Sequence, residues 1–360
     1  MTTASSARKN IKPLSPRQGA CLLPSHKYNL SGLQRNISPL RGTILDLAIV
    51  IVSWNVRGLL EACLTSVYES LQGSNLRGEV WVVDNASTDG SAEMVQERFP
   101  QARLMANETN VGFAAANNQA LRAMGFASAE DHDLPRYVLL LNPDTQVLDD
   151  ALATMVRFLD ENPQAGVAGA KLLYPDGRLQ HSAFAFPTLV QAFFDFFPLH
   201  YRLLNSRLNG RYPRRLYEQG EPFPIDYPLG AALMARGEAI QEVGLLDERF
   251  FIYCEEIDWC TRMKKAGWGI YCVPRAEVVH HEAKSTGQVR GEMFVALWRS
   301  RYLLFEKHYS RFYQWAVRRI VRLGLRAERR RALAAYERGE ISKAELESCL
   351  AAYRTVVEML

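Results

Sequence analysis

An acidic residue, Asp144, follows an apolar run and a proline in the segment YVLLLNPDT at residues 137–145. Apolar runs of this length suit a central strand covered on both faces, and open α/β sheets bind ligands at the carboxyl ends of such strands. A carboxylate at that edge can hold a divalent cation whose remaining positions go to substrate phosphates. The alternative is that Asp144 only closes a turn after Pro143.

A second acidic residue, Asp84, ends the apolar run at residues 79–83 and opens the polar loop DNASTDGS. At the end of a strand, its carboxylate can accept a hydrogen bond from a nucleobase N–H or a ribose hydroxyl. Asp89 has a structural use, because residues 87–91 offer N-caps for the next helix. The segment NVGFAAANN at 110–118 has small residues for close helix packing and amides that can serve a nucleotide; packing alone is the alternative.

Two adjacent acids, Glu255 and Glu256, follow the aromatic run FFIY at residues 250–253. Acids beside aromatic side chains are partly desolvated, which favours a proton acceptor with a raised pKa. The alternative is a pair of acids on a solvated helix face. Asp258 is interpreted as structural, because on a helix it is the i, i+4 neighbour of Arg262 and forms an ion pair with it.

A histidine, His280, closes a predicted strand at residues 276–279. A lone histidine usually packs in a core. At the active edge of a sheet, however, imidazole can complete an octahedral metal site with a carboxylate and diphosphate oxygens. Both interpretations of His280 stay open at this point.

The elements that must position these residues alternate between strand and helix patterns. A β-branched run at residues 47–52 ends in a polar turn that contains Ser53 and Asn55, and helical spacing follows it. This alternation with short loops predicts a mostly parallel sheet. A further strand at 165–173 and a turn at 174–177 follow. The aromatic and arginine-rich segment at 181–222 is interpreted as an irregular insertion that borders an acceptor site, lies on a membrane or forms local core.

Composition limits the class of protein. The chain has 360 residues, 48% hydrophobic and 23% charged, and its net charge of +4 gives no argument for nucleic-acid binding. Its six cysteines form no C-x-x-C pair or metal-ligand spacing, which indicates a reduced, cytoplasmic chain. The longest candidate membrane segment, at 186–204, is interrupted by polar residues. Residues 1–45 contain no acid and seven cations, which predicts a disordered basic arm, with an organelle transit peptide as the alternative.

Six segments, taken in order, carry a family resemblance: VVDNASTDGS, NVGFAAANN, LLLNPDT, LGAALMARGEAI, DERFFIYCEEIDWCTRMKKAGW and VPRAEVVHHEAKST. Together they closely resemble the family-2 inverting glycosyltransferases of the GT-A fold, and most of all their rhamnosyltransferase branch. The resemblance implies an α/β fold with a Rossmann-like nucleotide-binding half and a mostly parallel central sheet flanked by helices. We expect a basic arm at 1–45, a GT-A domain at 46–290 and a helical C-terminal extension at 291–360.

The resemblance also implies a donor site. In this family the acid that ends the second strand contacts the nucleotide base, and the corresponding residue here is Asp84. The amide of the family's NxGF loop corresponds to Asn110. The family's DxD-type motif corresponds to residues 142–144. Because Asn142 replaces the first acid, the resemblance implies that Asp144 binds the metal. The family's metal-associated histidine corresponds to His280. The expected nucleotide-sugar site comprises Ser53, Asn55, Asp84, Asn110, Gly112, Asn142 and Asp144.

The family's catalytic base is the second acid of an ED pair, which falls on Glu256. Here the pair is Glu255-Glu256, so the assignment between the two acids stays open. The expected acceptor site includes Gly230, Ala231 and Trp259.

These implications predict an inverting transferase that requires Mg²⁺ or Mn²⁺. Its donor would be dTDP-rhamnose or a UDP-sugar, and its acceptor a glycan or lipid-linked sugar in surface polysaccharide synthesis. A processive polysaccharide synthase is disfavoured because the chain has no Q-x-x-R-W motif, and a nucleotidyltransferase because no Gly-rich loop with Arg or Lys follows Val52. A degenerate binding subunit is the alternative from another class, supported by Asn142 and opposed by Asp144, Glu256 and His280.

The tail beyond the resemblance has a basic amphipathic pattern. Trp315, Ile320, Leu323 and Ala327 recur at near-helical spacing among seven arginines between 318 and 331. Such helices lie in the interface of anionic membranes, so we expect peripheral contact with the cytoplasmic face of a membrane. The alternative is a solvated helix that packs its apolar side on the protein. The sequence leaves the oligomeric state open.

Overall fold

The first four strands run parallel and form one half of a mixed sheet. The computed structural model describes residues 45–128, 133–281 and 290–360, all within one compact unit; the predicted basic arm, up to residue 44, lies outside them. The strands are β1 (Leu47–Ser53), β2 (Gly78–Asp84), β3 (Arg103–Ala106) and β4 (Tyr137–Leu141). Every residue of β1 and β4 is buried, as their continuous apolar runs predict.

Helices connect these parallel strands and cover the sheet. They are α1 (Arg57–Gln72), α2 (Ser91–Arg98) and α3 (Phe113–Ala123). The helix α1 places Leu60, Leu64 and Val67 in the core with no exposed surface, which confirms the predicted helical spacing.

The chain continues through several short elements into the predicted insertion. They are β5 (Thr145–Val147), α4 (Ala151–Glu161), β6 (Ala165–Leu173), β7 (Leu179–Gln180), β8 (Ala183–Phe184), α5 (Leu189–Phe194), α6 (Tyr201–Leu204), the 3₁₀ turn Arg207–Asn209, α7 (Arg214–Glu218), β9 (Phe223–Pro224) and β10 (Tyr227–Pro228). Inside the insertion Phe196 and Tyr217 are 2% exposed, whereas Tyr201 is 61% exposed. Part of this aromatic segment is therefore local core.

The second half of the sheet mixes strand directions. Its elements are β11 (Ala232–Arg236), α8 (Gly237–Val243), α9 (Glu255–Lys265) and β12 (Gly269–His280). The strand order is β3-β2-β1-β4-β11-β6-β12-β5. The strand β11 runs antiparallel to both neighbours and β5 antiparallel to β12, while β6 and β12 are parallel. The sheet is therefore mostly, but not wholly, parallel.

The strand that carries His280 is longer than predicted. The sequence pattern indicates residues 276–279, but β12 spans twelve residues and contains Pro274. Its pairing with β6 shifts register between Val273 and Glu277. Proline has no N–H to donate to a sheet ladder, and a bulge accommodates it, so the strand continues past the proline.

Three helices form the C-terminal extension: α10 (Arg290–His308), α11 (Arg311–Glu337) and α12 (Lys343–Glu358). They share a second hydrophobic core with the residues before α9, in which Trp298, Val317 and Val356 are buried. The predicted capping box of Ser342 and Glu345 is present at the start of α12. Within the described ranges, the helices lack the length and apolar character that a bilayer span requires.

Candidate active site

Two polar side chains meet at the carboxyl ends of β1 and β2, where Ser53 and Asp84 are paired in register. Both residues are buried. Asp84 Oδ2 accepts a hydrogen bond from the Ser87 amide at 2.9 Å, but Asp84 Oδ1 and Ser53 Oγ have no partner among the described residues. Buried polar atoms without partners cost free energy. The pair therefore offers an unused acceptor and an unused hydroxyl to a ligand.

Asn55 holds the loop that follows β2. Its side-chain oxygen accepts a hydrogen bond from the Thr88 amide at 2.7 Å, and its own amide donates to Ser87 Oγ at 2.9 Å. Asn55 adopts a left-handed backbone with φ of 52°, a conformation that asparagine tolerates better than most residues. These hydrogen bonds of Asn55 fix the loop that follows Asp84.

The loop at residues 110–113 joins the first half of the site to the second. Asn110 is exposed, and its Oδ1 accepts a hydrogen bond from the Gly112 amide at 3.0 Å. Gly112 has φ of +88°, and a Cβ built there would lie 2.6 Å from the Phe251 carbonyl oxygen. The Phe113 amide donates to the same oxygen at 2.6 Å. Only glycine fits this position, because the chain before α9 lies directly against it.

Sequence reasoning missed Asn85, which is buried beside Asp84. Its Oδ1 accepts hydrogen bonds from Asn107 Nδ2 at 3.0 Å and from the Val111 amide at 3.3 Å, and its Nδ2 donates to the Gly112 carbonyl. Asn85 therefore fixes the 110–113 loop relative to β2. Its position directly after the strand acid was the available signal.

Asp144 and His280 form a buried pair at the end of β4. Asp144 Oδ1 lies 3.3 Å from His280 Nε2, and each side chain is 7% exposed. The backbone contributes to this approach, because the His281 amide donates to the Asp144 carbonyl at 2.9 Å and His280 pairs with Thr145 in the sheet. Asn142 is half-buried, and its amide donates to the Ala231 carbonyl at 2.9 Å. Asp144 thus faces an imidazole nitrogen.

A glutamine lies behind this pair. Gln180 is 4% exposed, and its Oε1 lies 3.0 Å from His280 Nδ1. An amide oxygen accepts hydrogen bonds, so the Nδ1–H of His280 can donate to Gln180, and Nε2 is the ring nitrogen that lies against Asp144. Sequence analysis gave no signal for Gln180, because it sits in a two-residue strand outside every recognised motif.

The segment before α9 turns sharply to present the two adjacent glutamates. Tyr253 and Cys254 both have positive φ angles, 70° and 66°. A non-glycine residue in this region costs about 1–3 kcal/mol. Glu255 and Glu256 then begin the helix α9. Two consecutive strained residues persist there because the second hydrophobic core holds the Cys254 side chain, which is 4% exposed.

Both glutamates are held in a setting that disfavours their charged forms. Burial, and then the charge of Glu256, raise the pKa of Glu255 well above its ordinary value. Burial raises the pKa of Glu256 to about 7. One oxygen of each carboxylate, Oε2, is buried without a hydrogen-bond partner among the described residues. The predicted rise in pKa beside the aromatic run is confirmed, and the pair can accept a proton near neutral pH.

A glycine and a group of aromatic rings line the space beside Glu256. A Cβ built on Gly230 would lie 3.7 Å from Glu256 Cγ, which is ordinary contact. The Tyr227 ring stacks on Phe184 and Phe186 at centroid distances of 5.6 and 6.1 Å. Burial, and then the Glu256 charge, raise the pKa of Tyr227 well above its ordinary value, which keeps its hydroxyl protonated. Stacked rings beside a small residue form a surface on which a sugar can lie.

Two predicted acceptor residues are buried. Trp259 has no exposed surface, and its indole N–H donates to the Gly244 carbonyl at 2.8 Å. Ala231 is 1% exposed, and its carbonyl is used by Asn142. Gly230 lies beside Glu256, and the acceptor roles of Trp259 and Ala231 stay predictions.

Asp258 is structural, as predicted. It has no exposed surface and pairs with Arg262 at 2.9 Å, with Lys307 at 2.7 Å and with His308 at 2.7 Å. Hydrogen bonds from these partners outweigh burial and lower the pKa of Asp258. This network ties the helix α9 to the end of α10.

The fold and site define an α/β nucleotide-binding architecture with acids at the carboxyl edge of the sheet. The model of glycosyl transferase family 2 matches residues 48–223. An N-acetylglucosaminyl-diphospho-decaprenol L-rhamnosyltransferase of Mycobacterium tuberculosis is 30% identical over 276 residues, which cover 71% of this chain and 87% of that protein. The chain belongs to glycosyl transferase family 2, has the GT-A fold and is a glycosyltransferase.

Other similarities lie at lower identity. A rhamnosyltransferase of Escherichia coli K12 is 25% identical, covering 47% of this chain and 61% of its own. A low-salt glycan biosynthesis hexosyltransferase of Haloferax volcanii is 23% identical, covering 78% and 82%. Among solved structures, a mannosyltransferase of Pyrobaculum calidifontis with GDP-mannose and Mn²⁺ has a TM-score of 0.49 and 18% identity, covering 88% of this chain and 84% of that one.

Proposed function

We propose that the chain is a metal-dependent, inverting transferase that moves rhamnose from dTDP-rhamnose, or a hexose from a UDP-sugar, onto a lipid-linked or glycan acceptor in surface polysaccharide synthesis. The observation that carries this proposal is the adjacent pair of buried Glu255 and half-buried Glu256, each with an unpartnered carboxylate oxygen and a raised pKa. Relatives named as rhamnosyltransferases support the donor sugar, and the decaprenol-linked acceptor in the name of one of them supports a lipid-linked acceptor. Metal-dependent release of nucleoside diphosphate from a nucleotide sugar tests it.

The donor's base is proposed to lie at the ends of β1 and β2. A uracil or thymine ring carries one N–H donor between two carbonyl acceptors, which complements the free Asp84 Oδ1 and the free Ser53 hydroxyl. Asn55, Asn110 and Gly112 shape the loops around this position through hydrogen bonds of their own. The unpartnered atoms of Asp84 and Ser53 support a pyrimidine base as the ligand.

Asp144 and His280 are proposed to hold the cation. A carboxylate and an imidazole nitrogen suit Mg²⁺ or Mn²⁺, with the remaining positions left to the donor's diphosphate. Among the described residues no cluster of three or more His, Cys, Asp or Glu could hold a metal, and this pair supplies two ligands. When bound, the cation would neutralise the charge of the departing nucleoside diphosphate.

Gln180 is expected to set the affinity of that site. The substitution Gln180→Leu removes the acceptor that keeps the Nδ1 proton in place, and loss of such an outer partner typically weakens metal binding by about 10-fold to 100-fold. Mn²⁺ binding to the free protein, followed by electron paramagnetic resonance, measures it. Gln180→Glu keeps an oxygen at that position and should bind nearly as well as the native chain; unchanged affinity in Gln180→Leu would remove the role.

Glu256 is proposed as the base. The acceptor hydroxyl transfers its proton to a Glu256 carboxylate oxygen while the hydroxyl oxygen attacks the anomeric carbon, and the bond to the diphosphate oxygen breaks on the opposite side. The product sugar then has inverted configuration. Gly230 leaves room for the acceptor beside Glu256, and the Tyr227 ring and its stacked neighbours exclude water from that side.

The membrane contact is proposed to involve one face of α11. Val317, Val321 and Leu325 form the buried side of this helix. The predicted apolar stripe of Trp315, Ile320, Leu323 and Ala327 is only partly buried. Its Trp315 and Leu323 remain 53% and 56% exposed, whereas Ile320 and Ala327 are half-buried.

The exposed face is suited to a membrane surface. Phe312 is 69% exposed and stacks on Trp315 at 5.9 Å, and the Arg319 guanidinium lies over the Trp315 ring at 5.6 Å. Aromatic rings among arginines are typical of segments in the interface of anionic bilayers. This arrangement supports action at the cytoplasmic face of a membrane.

The double substitution F312S/W315S is expected to reduce co-sedimentation with anionic liposomes and leave folding intact, because both rings lie outside the core. Binding by the native chain should also weaken as salt rises. Leu199→Ser, at a residue 66% exposed in the 181–222 segment, is the comparison variant, and it should bind normally if the contact is confined to α11. Equal binding by the double variant and the native chain would exclude this face as the anchor.

A further inference from the structure

A cleft of about 620 Å³ lies between α11 and α12, apart from the residues assigned to catalysis. Its rim carries four exposed arginines: Arg322, Arg326, Arg329 and Arg354. Three of them are spaced i, i+4 and i+7 on α11 and so share one face of that helix, while Arg354 comes from α12. Glu358 is the only acid among the residues lining the cleft.

The charge on this rim is not neutralised by the described residues. None of the four arginines forms an ion pair with another residue in the described ranges, whereas the nearby Arg331 pairs with Glu328 and Arg338 with Glu340. Like charges held on one helix face repel one another. Planar guanidinium groups bind phosphate in bidentate fashion. The rim is therefore complementary to a phosphate group.

The floor of the cleft is apolar. It is formed by Leu325, Leu350, Tyr353 and Val357, of which Val357 is 45% exposed. A free phosphate or a water-soluble phosphate ester would leave this floor exposed to water. A nucleic acid would satisfy the arginines but has no hydrocarbon to cover leucine and valine side chains. A molecule that joins a phosphate to an acyl or polyprenyl chain matches both parts.

We propose that the α11–α12 cleft binds one phosphate-bearing lipid, with its phosphate between the arginines of the two helices and its hydrocarbon chain on the apolar floor. This proposal rests on the proposed membrane location. It adds the class of lipid and the site that would bind it. It needs neither the donor site nor the Glu255–Glu256 pair.

Binding can be measured in solution on the full chain, by titration calorimetry with dihexanoyl phosphatidylglycerol below its micelle concentration. Arg326→Gln and Arg354→Gln should each raise the dissociation constant by about tenfold or more, because each removes a charge-assisted hydrogen bond. Arg330→Gln is the matched control, since Arg330 lies on the same helix but does not line the cleft; its affinity should stay native. Val357→Ser should weaken the lipid and leave glycerol phosphate unaffected.

Three results would overturn the proposal. Inorganic phosphate or an oligonucleotide binding as tightly as the lipid would indicate a general anion site. Octyl glucoside, which has an alkyl chain but no phosphate, binding as tightly as phosphatidylglycerol would show that the phosphate is not recognised. An equal loss in R330Q and R326Q would show long-range attraction without a site. F312S/W315S is expected to lose sedimentation with liposomes. If it still binds the short-chain lipid in solution, the cleft is a lipid site distinct from the membrane anchor.

Discussion

Glu256→Gln is expected to lower kcat by about 10²-fold or more while donor binding is retained. Glutamine keeps the size and the hydrogen-bonding capacity of the side chain, but it cannot accept the proton of the acceptor hydroxyl. Glu256 lies in contact with the position of Gly230, is close enough to Tyr227 for its charge to raise the pKa of that side chain, and has an unpartnered oxygen. Steady-state kinetics together with nucleotide-sugar binding by calorimetry separate the two effects.

The pH profile sharpens this test. A base must be deprotonated to act, and burial raises the pKa of Glu256 to about 7. In the native chain kcat should therefore rise with pH through about 7 and then level, and this rise should be absent in E256Q.

The neighbouring acid is the matched control. Burial and the charge of Glu256 raise the pKa of Glu255 well above its ordinary value. The family resemblance assigns the base to the second acid of the pair, so Glu255 is not expected to be the base. If E255Q shows the large loss and the pH effect while E256Q does not, the base is Glu255. Normal kcat in both variants would contradict the proposed chemistry.

Asp144→Ala is expected to abolish turnover and Mn²⁺ binding while leaving the fold intact. The side chain lies at the end of β4 against His280 Nε2 at 3.3 Å, and removing it deletes the carboxylate ligand of the proposed cation. Circular dichroism and thermal unfolding check the fold, and metal binding is measured on the free protein. Native Mn²⁺ affinity in this variant would remove the metal assignment, whatever its activity.

Asp176 offers a matched control because it also follows a proline. Asp176 Oδ1 accepts a hydrogen bond from the Arg178 amide at 3.0 Å, as expected of an acid that closes a turn. Asp176→Ala should therefore retain both turnover and metal binding. Comparing D144A with D176A tests directly whether Asp144 does more than close its turn.

The sequence allowed the strand-end acids to be placed correctly because apolar runs and turn residues are local signals. Asp84 and Asp144 lie at the edge predicted for them, and the predicted α9 brings Asp258 to Arg262. The directions of β11 and β5 were not predictable in this way. The alternation of strands and helices gives the order of elements along the chain. After a long insertion it does not determine whether the next strand pairs parallel or antiparallel with its neighbours.

Burial and partners at the site could not be predicted from the sequence, because tertiary contacts decide them. Trp259, for example, has no exposed surface, which its position in the sequence did not indicate. Gln180 acts on His280 from 100 residues away in sequence, and no local pattern marks such a partner. The predicted apolar stripe of α11 is only partly buried because the helix packs on Phe196 and its neighbours through Gly324.

The configuration of the transferred sugar tests the central proposal most directly. The native chain, with Mn²⁺ or Mg²⁺, would be incubated with dTDP-rhamnose or UDP-sugars and lipid-linked acceptors, and the product examined by nuclear magnetic resonance. The account predicts that nucleoside diphosphate is released only with metal and acceptor present, and that the new glycosidic bond has the anomeric configuration opposite to that of the donor. A product with the donor's configuration, or transfer that proceeds equally well with chelator, would contradict it.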